Sequence, residues 1–180
     1  DSIISGYVRR RTKLSIFSVE NDRTGNSTYT LFEKILYVKK AYATSYDLMY
    51  GANVSITNTF DEMMMVKENA GQEEGKGYFH YVLSPEAADD CSVAQMYAIG
   101  CKVAEMIGCF EGHYQVLMTV HRDTSHIHAH FIANNIDFVT GLRMNLNRSR
   151  LMMLKQGING ILQQEGISLI SVFSHANNCI

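Results

Sequence analysis

The chain has a single proline, four cysteines, no excess of basic charge and no long apolar run, and each shortage narrows what it can be. A membrane-spanning helix takes roughly 18–20 consecutive apolar residues, and no stretch here approaches that, so no membrane association is expected. The opening Asp1-Ser-Ile-Ile-Ser-Gly-Tyr-Val-Arg9-Arg-Arg11 does not read as a secretory leader, because it lacks an apolar core and its charge follows the apolar residues. Cys91, Cys101, Cys109 and Cys179 show no C-x-x-C spacing, so a disulfide framework is not expected and they read as free, mostly buried thiols in a reducing compartment. A formal net charge of −2 does not announce a nucleic-acid binder. No H-E-x-x-H, G-x-S-x-G or phosphate-loop motif occurs, which excludes the zincin, hydrolase-elbow and P-loop nucleotide chemistries. With no repeats and no Pro- or Gly-rich linker, the 180 residues are expected to form one domain with a full core, residues 1–11 reading as an extension before the first strand.

What is present is unevenly distributed. Arg9, Arg10, Arg11 and Lys13 cluster near the start, and Arg143, Arg148, Arg150 and Lys155 cluster late. Acidic residues from Asp61 to Asp90 lie between. The two basic clusters are either a phosphate-binding face or ordinary solvated faces.

Alternating or β-rich stretches predict strands at 12–19, 78–84, 114–121, 126–134 and 167–172, while the mixed stretch 42–55, with Gly51, reads as loop with room for a short strand. Pro85 stops the strand before it, since proline cannot donate to a ladder. Helices are predicted over about 30–40, 59–68, 92–108 and 147–165. Three of them open with capping-box spacing, at Thr30/Glu33, Thr59/Glu62 and Ser92/Gln95. Met63, Met64 and Met65 read as core filler. Residues 122–125 fit a hairpin connection. The order of elements is an α+β pattern, a central, mainly antiparallel sheet of about five strands with helices packed on its faces.

Four of the seven histidines fall within ten residues, as His121, His126, His128 and His130. Side chains two apart on a strand share a face. His126, His128 and His130 are therefore expected on one side of a strand, with His121 joining them across the hairpin. Three neutral imidazoles leave coordination positions of a divalent ion open, as in a catalytic site, and such an ion is a Lewis acid for a phosphoryl oxygen. Asp123 is suited to hold an imidazole N–H and fix its tautomer. His126 is open between ligand, DNA contact and exposed strand end. The isolated His80, His113 and His175 read as structural. Tyr37, in Leu36-Tyr37-Val38-Lys39-Lys40, has the chemistry of a covalent nucleophile, with lysines nearby to favour its phenolate; taken alone it reads as a core or surface residue and not as a catalytic one.

His121-x-Asp123-x-x-His126-Ile-His128-x-His130-Phe-Ile-x-Asn134, followed by Asp137-x-x-Thr140-Gly141, resembles the core motif of the relaxase/mobilisation nucleases, the HUH endonucleases of conjugative elements, and is most similar to the MOBP class. Tyr37-Val…Thr44, Tyr50-Gly-x-Asn53-Val-Ser55, His80-Tyr-Val-Leu-Ser84-Pro-Glu86 and Glu165-Gly-Ile-Ser168 resemble the family's other segments, in order, from about Thr12 to Val172. The resemblance implies metal-dependent nicking and rejoining of single-stranded DNA at an origin of transfer, through a 5′-phosphotyrosyl intermediate on Tyr37. It implies Mg²⁺ or Mn²⁺ on His121, His128 and His130, with Zn, Co or Ni as other bound species, since imidazoles favour later transition metals. The DNA-contacting set expected from these motifs and the late basic cluster is His126, Ser84, Asn134, Arg143 and Arg148. Accessory relaxosome proteins and a bacterial cytoplasmic location are implied too. Ala43 stands where the family usually has lysine, and Tyr42, Tyr46 and Tyr50 are alternative nucleophiles. Two other readings stand: a catalytically inactive metal- or DNA-binding module, and an HUH replication initiator or transposase. Initiators and transposases carry their tyrosine after the histidine motif, where this chain has none.

Overall fold

The computed structural model describes residues 14–21 and 25–173. The early basic cluster (Arg9, Arg10, Arg11, Lys13), His175 and Cys179 lie outside them. Strands β1 (Ile16–Glu20), β2 (Met49–Ala52), β3 (Tyr78–Ser84), β4 (Val116–His121) and β5 (His128–Asn134) form a five-stranded sheet in the order β1-β3-β5-β4-β2. Every neighbouring pair is antiparallel. Helices α1 (Thr28–Val38), α2 (Thr59–Ala70), α3 (Val93–Gly108) and α4 (Arg148–Gln164) complete the architecture, so the expected α+β class stands.

The register decides what lies on each face, because directly opposed residues of antiparallel strands point the same way. One face carries Phe79, Tyr81, Leu83, Ala129, Phe131, Val116, Met118 and Val120, and packs on Met96, Ile99, Val103 and Ile107 of α3 and Leu154, Ile158 and Leu162 of α4. The other carries Tyr78, Leu117 and Ile132 under Leu31, Ile35 and Val38 of α1 and Met63 of α2. His80, His121, His128 and His130 are in phase with this second face. Helix α1 ends over the histidine end of the sheet, where the Val38 carbonyl meets His121, and where His80, His121 and His130 are buried.

Several local expectations change. The connection between β4 and β5 is 122–127, because Thr124 Oγ1 donates to the His126 carbonyl (2.8 Å) and holds His126 off the ladder. The expected final strand is reduced to one bridge, Ser15 to Ile170. There the Asn159 amide takes both backbone groups of Ile170 that a ladder would have used. Helix α1 begins at Thr28, so Thr30 lies in its first turn and its hydroxyl turns back to the Ser27 carbonyl. Helix α2 is bounded by Asn58, and the Glu62 carboxylate holds Ser55 instead. Only Ser92 caps as expected, accepting from the Gln95 N–H. Met63 is core, but Met65 is 59% exposed. Cys91 and Cys101 are half-buried free thiols and Cys109 is an exposed one, so they are less buried than the sequence suggested. Among the described residues no helix is long and apolar enough to cross a membrane.

Candidate metal centre and its tyrosine

His121 ends β4 and His128 begins β5, and the two are partners across the ladder. His130, one rung on, is flanked by Thr119 of β4 and Val82 of β3. The hydrogen bonds settle which ring nitrogen of each is left over. A carbonyl only accepts, so His121 donates Nε2–H to the Val38 carbonyl (2.8 Å) at the end of α1. His128 likewise donates Nδ1–H to the His126 carbonyl (3.0 Å). His130 Nδ1 meets His80 Nε2 at 2.9 Å. The nitrogens remaining are His121 Nδ1, His128 Nε2 and His130 Nε2. The three residues offer nitrogens that lie within 4.8 Å of one another.

Two of those nitrogens, His121 Nδ1 and His130 Nε2, are buried without a hydrogen-bond partner. An unsatisfied buried polar atom costs about 1–3 kcal/mol, and two of them converging are what a divalent cation relieves. The residues therefore fit a metal. Burial pushes His130 down to about 2, with His121, His80 and His128 adding to the effect. Burial also lowers His121. Both rings thus present lone pairs. The unfolded chain takes up protons on these histidines below about pH 6.5 and the folded chain does not, so stability is full above that value and falls as pH falls below it. Thermal unfolding of the metal-free protein should show Tm dropping between about pH 7 and about pH 5, and His130→Gln should flatten part of that drop.

Tyr37 is on the last turn of α1, 46% exposed, at the rim of this cluster. Its ring centroid is 5.9 Å from His130 and 6.3 Å from His121. Lys34 and Lys40 Nζ lie 5.1 and 4.8 Å from the ring centre. Of the other tyrosines, Tyr50 points to the opposite face, where its hydroxyl donates to Glu105 and that bond, with burial, pushes it up to about 12. Tyr42 is 76% exposed and reaches only as far as Lys40, 4.9 Å from its ring centre. Tyr46 is 67% exposed in a short 3-10 turn, 46–48.

The other sequence-predicted residues divide. Asp123 pairs with Lys40 at 2.9 Å and not with an imidazole, and that hydrogen bond holds its carboxyl below the usual range. His126 is exposed and contributes its carbonyl, not its ring, to the histidine cluster. Ser84 ends β3 at the histidine end of the sheet. Asn134 is corrected: it is fully buried at the far end of β5, about 20 Å from His128 at the usual strand rise, with its amide bonded to Lys67, Met63 and Gln115. Arg143 is corrected too, since its guanidinium clamps Gln72, Glu74 and Lys76 at that far end. Arg148 opens α4, in the layer on the other face of the sheet. Sequence reasoning missed His80, which it left as structural. The available signal was its phase on β3, but which strand lies beside β3 is a long-range fact.

The family model described as Relaxase, MobA/VirD2-like, nuclease domain, matches residues 35–167. The chain belongs to that family. Two relatives called protein rlx, from Staphylococcus aureus, are 26% and 24% identical over 117 and 119 residues, covering 65% and 66% of this relaxase chain. They are matched over 34% and 36% of their own length, so the chain spans about a third of these relatives. A structure from work on the molecular basis of vancomycin resistance transfer in Staphylococcus aureus aligns with a TM-score of 0.53 at 12% identity, over 90% of this chain and 100% of that one. At such identity the likeness speaks for the fold, which the relaxase domain here shares.

Proposed function

We propose that this relaxase nuclease domain nicks and rejoins single-stranded DNA at an origin of transfer, by transesterification onto Tyr37. The whole chain is taken as one nicking domain working in a bacterial cytoplasm alongside accessory proteins of the transfer origin. The observation that carries the reading is the set of three imidazole nitrogens within 4.8 Å, two of them buried and unpartnered, beneath the rim where Tyr37 stands.

His121, His128 and His130 would hold a divalent ion, Mg²⁺ or Mn²⁺ in the working enzyme. When bound, it supplies Lewis-acid polarisation of the scissile phosphate's oxygens. The chain's own groups do the rest. Val38, His126 and His80 fix the imidazole tautomers, so that each ring directs a lone pair inward. Tyr37 loses its proton and its phenolate oxygen attacks phosphorus; the bond from phosphorus to the 3′ oxygen breaks, and that oxygen leaves as a 3′ hydroxyl. The phosphodiester is conserved as a 5′-phosphotyrosine, so attack by a 3′ hydroxyl reseals the strand. Lys34 and Lys40, close to the Tyr37 ring, favour the approach of a phosphate. Asp123 anchors Lys40 there. His126 and Ser84 line the same end of the sheet and are the strand contacts retained from the sequence reading.

The test is incubation with single-stranded DNA carrying the transfer origin plus Mn²⁺, resolved on a denaturing gel. A covalent adduct that chelator abolishes supports the reading, and cleavage without an adduct would favour a bound-water hydrolase. The position of Tyr37 against His130 favours the enzyme over a binding-only module.

His80 provides a second handle. In His80→Ala, His130 loses the acceptor for Nδ1–H and its ring is free to turn or change tautomer. Affinity for Mn²⁺, measured by titration calorimetry, should fall about 10–100-fold. His80→Gln, whose amide oxygen can accept the same proton, should recover much of the loss.

A further inference from the structure

Beside the histidine cluster lies a cavity of about 190 Å³, smaller than the roughly 300–1,000 Å³ of pockets for drug-sized ligands. One wall is the segment after β3, with Pro85, Glu86, Ala87 and Asp90; the other is the end of the β4–β5 connection, with His126 and Ile127. The His126 carbonyl holds His128 Nδ1 at 3.0 Å, so cavity and candidate metal centre share a wall. The first wall is anchored at two points. The Glu86 N–H donates to Ser15 Oγ (3.2 Å), and Asp89 accepts from the Ser168 N–H and hydroxyl at 2.8 and 2.7 Å. The cavity is thus held open by contacts from both ends of the described chain.

Its charge says what enters. Among the described residues neither the Glu86 nor the Asp90 carboxylate has an ion pair, and no lysine or arginine lines the cavity. Two carboxylates with no cationic partner among the described residues repel a phosphate, so a base is a better occupant than the sugar–phosphate backbone. An uncharged base fits better. Pro85, Ala87 and Ile127 offer apolar contact to its flat faces, and splayed-out bases of single strands are bound in this manner. A carboxylate accepts from the exocyclic amino group of cytosine, whereas the carbonyl oxygen thymine presents at that position is repelled.

We infer that the cavity between Pro85–Asp90 and His126–Ile127 selects one base of the single strand beside the scissile phosphate, taking cytosine and rejecting thymine. This rests on the reading of the protein as a single-strand nicking enzyme. It is tested by fluorescence anisotropy of the full chain with labelled oligodeoxycytidine and oligodeoxythymidine of equal length. The wild-type protein should bind the cytidine strand about tenfold more tightly. Glu86→Ala with Asp90→Ala should bring that ratio close to one by weakening the cytidine strand alone. Ala87→Trp, which fills the cavity with no change of charge, should do the same, circular dichroism reporting that both variants fold. Equal affinities in the wild type, or an undiminished preference in folded variants, would overturn the inference. Failure of the wild type to bind either strand tells against the nicking reading itself, and is distinguishable because both signals vanish and not only their ratio.

Discussion

Tyr37→Phe should abolish the covalent adduct with single-stranded origin DNA, a loss of at least about a thousand-fold, while leaving the fold and metal affinity unchanged. The substitution removes one oxygen from a ring that is 46% exposed, so no core packing is lost. The phenyl ring retains its edge contact with His130, whose tautomer is set from the other side by His80. Only the proposed nucleophile goes. Tyr42→Phe and Tyr46→Phe should keep the adduct, because neither residue has a ring contact with the three histidines, and Tyr50→Phe should keep it because its hydroxyl is committed to Glu105 on the other face. The measurement is the shifted band on a denaturing gel, with Mn²⁺ affinity followed by calorimetry. A full adduct in Tyr37→Phe would move the nucleophile elsewhere and sink the assignment.

The second large effect lies at the opposite end of the sheet. Lys67 of α2 is completely buried, and its ammonium donates to the Gly77 carbonyl (2.5 Å), Asn134 Oδ1 (2.5 Å) and Asn135 Oδ1 (2.8 Å). Three N–H groups meet three acceptors. Asn134 passes the network on to Met63 and Gln115, and Asn135 to Lys76, so one amine ties α2 to the start of β3 and the end of β5. Burial, and then the Arg143 charge, push the amine down to about 7. Lys67→Met keeps the length of the stem but leaves three buried acceptors without a donor. We expect a loss of about 3–5 kcal/mol, equivalent to roughly 10 °C in Tm for a chain of this size. Adding Asn134→Leu should lose less than the sum of the two single changes, since they share one network. The folded fraction should still form the DNA adduct, because Asn134 serves the architecture about 20 Å from the histidines. An adduct lost in proportion to no loss of fold would restore a DNA role to Asn134.

Much of this was legible from local pattern. Strand β3 begins and ends where alternation and Pro85 set it, and α3 opens on the Ser92 cap. The pairing of His128 with His130 follows from the two-residue period of a strand alone, and Tyr37 was marked by its motif and its lysines. What local pattern left undecided is of one kind. His126 is in phase with the pair, yet Thr124 pulls it off the ladder. Asp123 is two residues from a histidine, yet Lys40 of a distant segment claims it. Asn134 sits in the most specific motif of the chain, yet its neighbour is a buried lysine sixty-seven residues earlier.

The sequence by itself determined most of the elements, the family and the chemical types available: imidazoles suited to a cation, a tyrosine suited to a phosphate. These depend on residue identity and on spacings within one strand or helix. Only the tertiary structure decided which partner each side chain meets. The order β1-β3-β5-β4-β2 brings His80 against His130, and the end of α1 brings the Val38 carbonyl to His121 and Tyr37 to the rim. Hydrogen bonds from elements far apart in the chain decide which nitrogen is left over on His121 and His130, whereas His128 takes its partner from His126, two residues away. That selection turns a row of histidines into a candidate metal centre, and strand periodicity alone does not encode it.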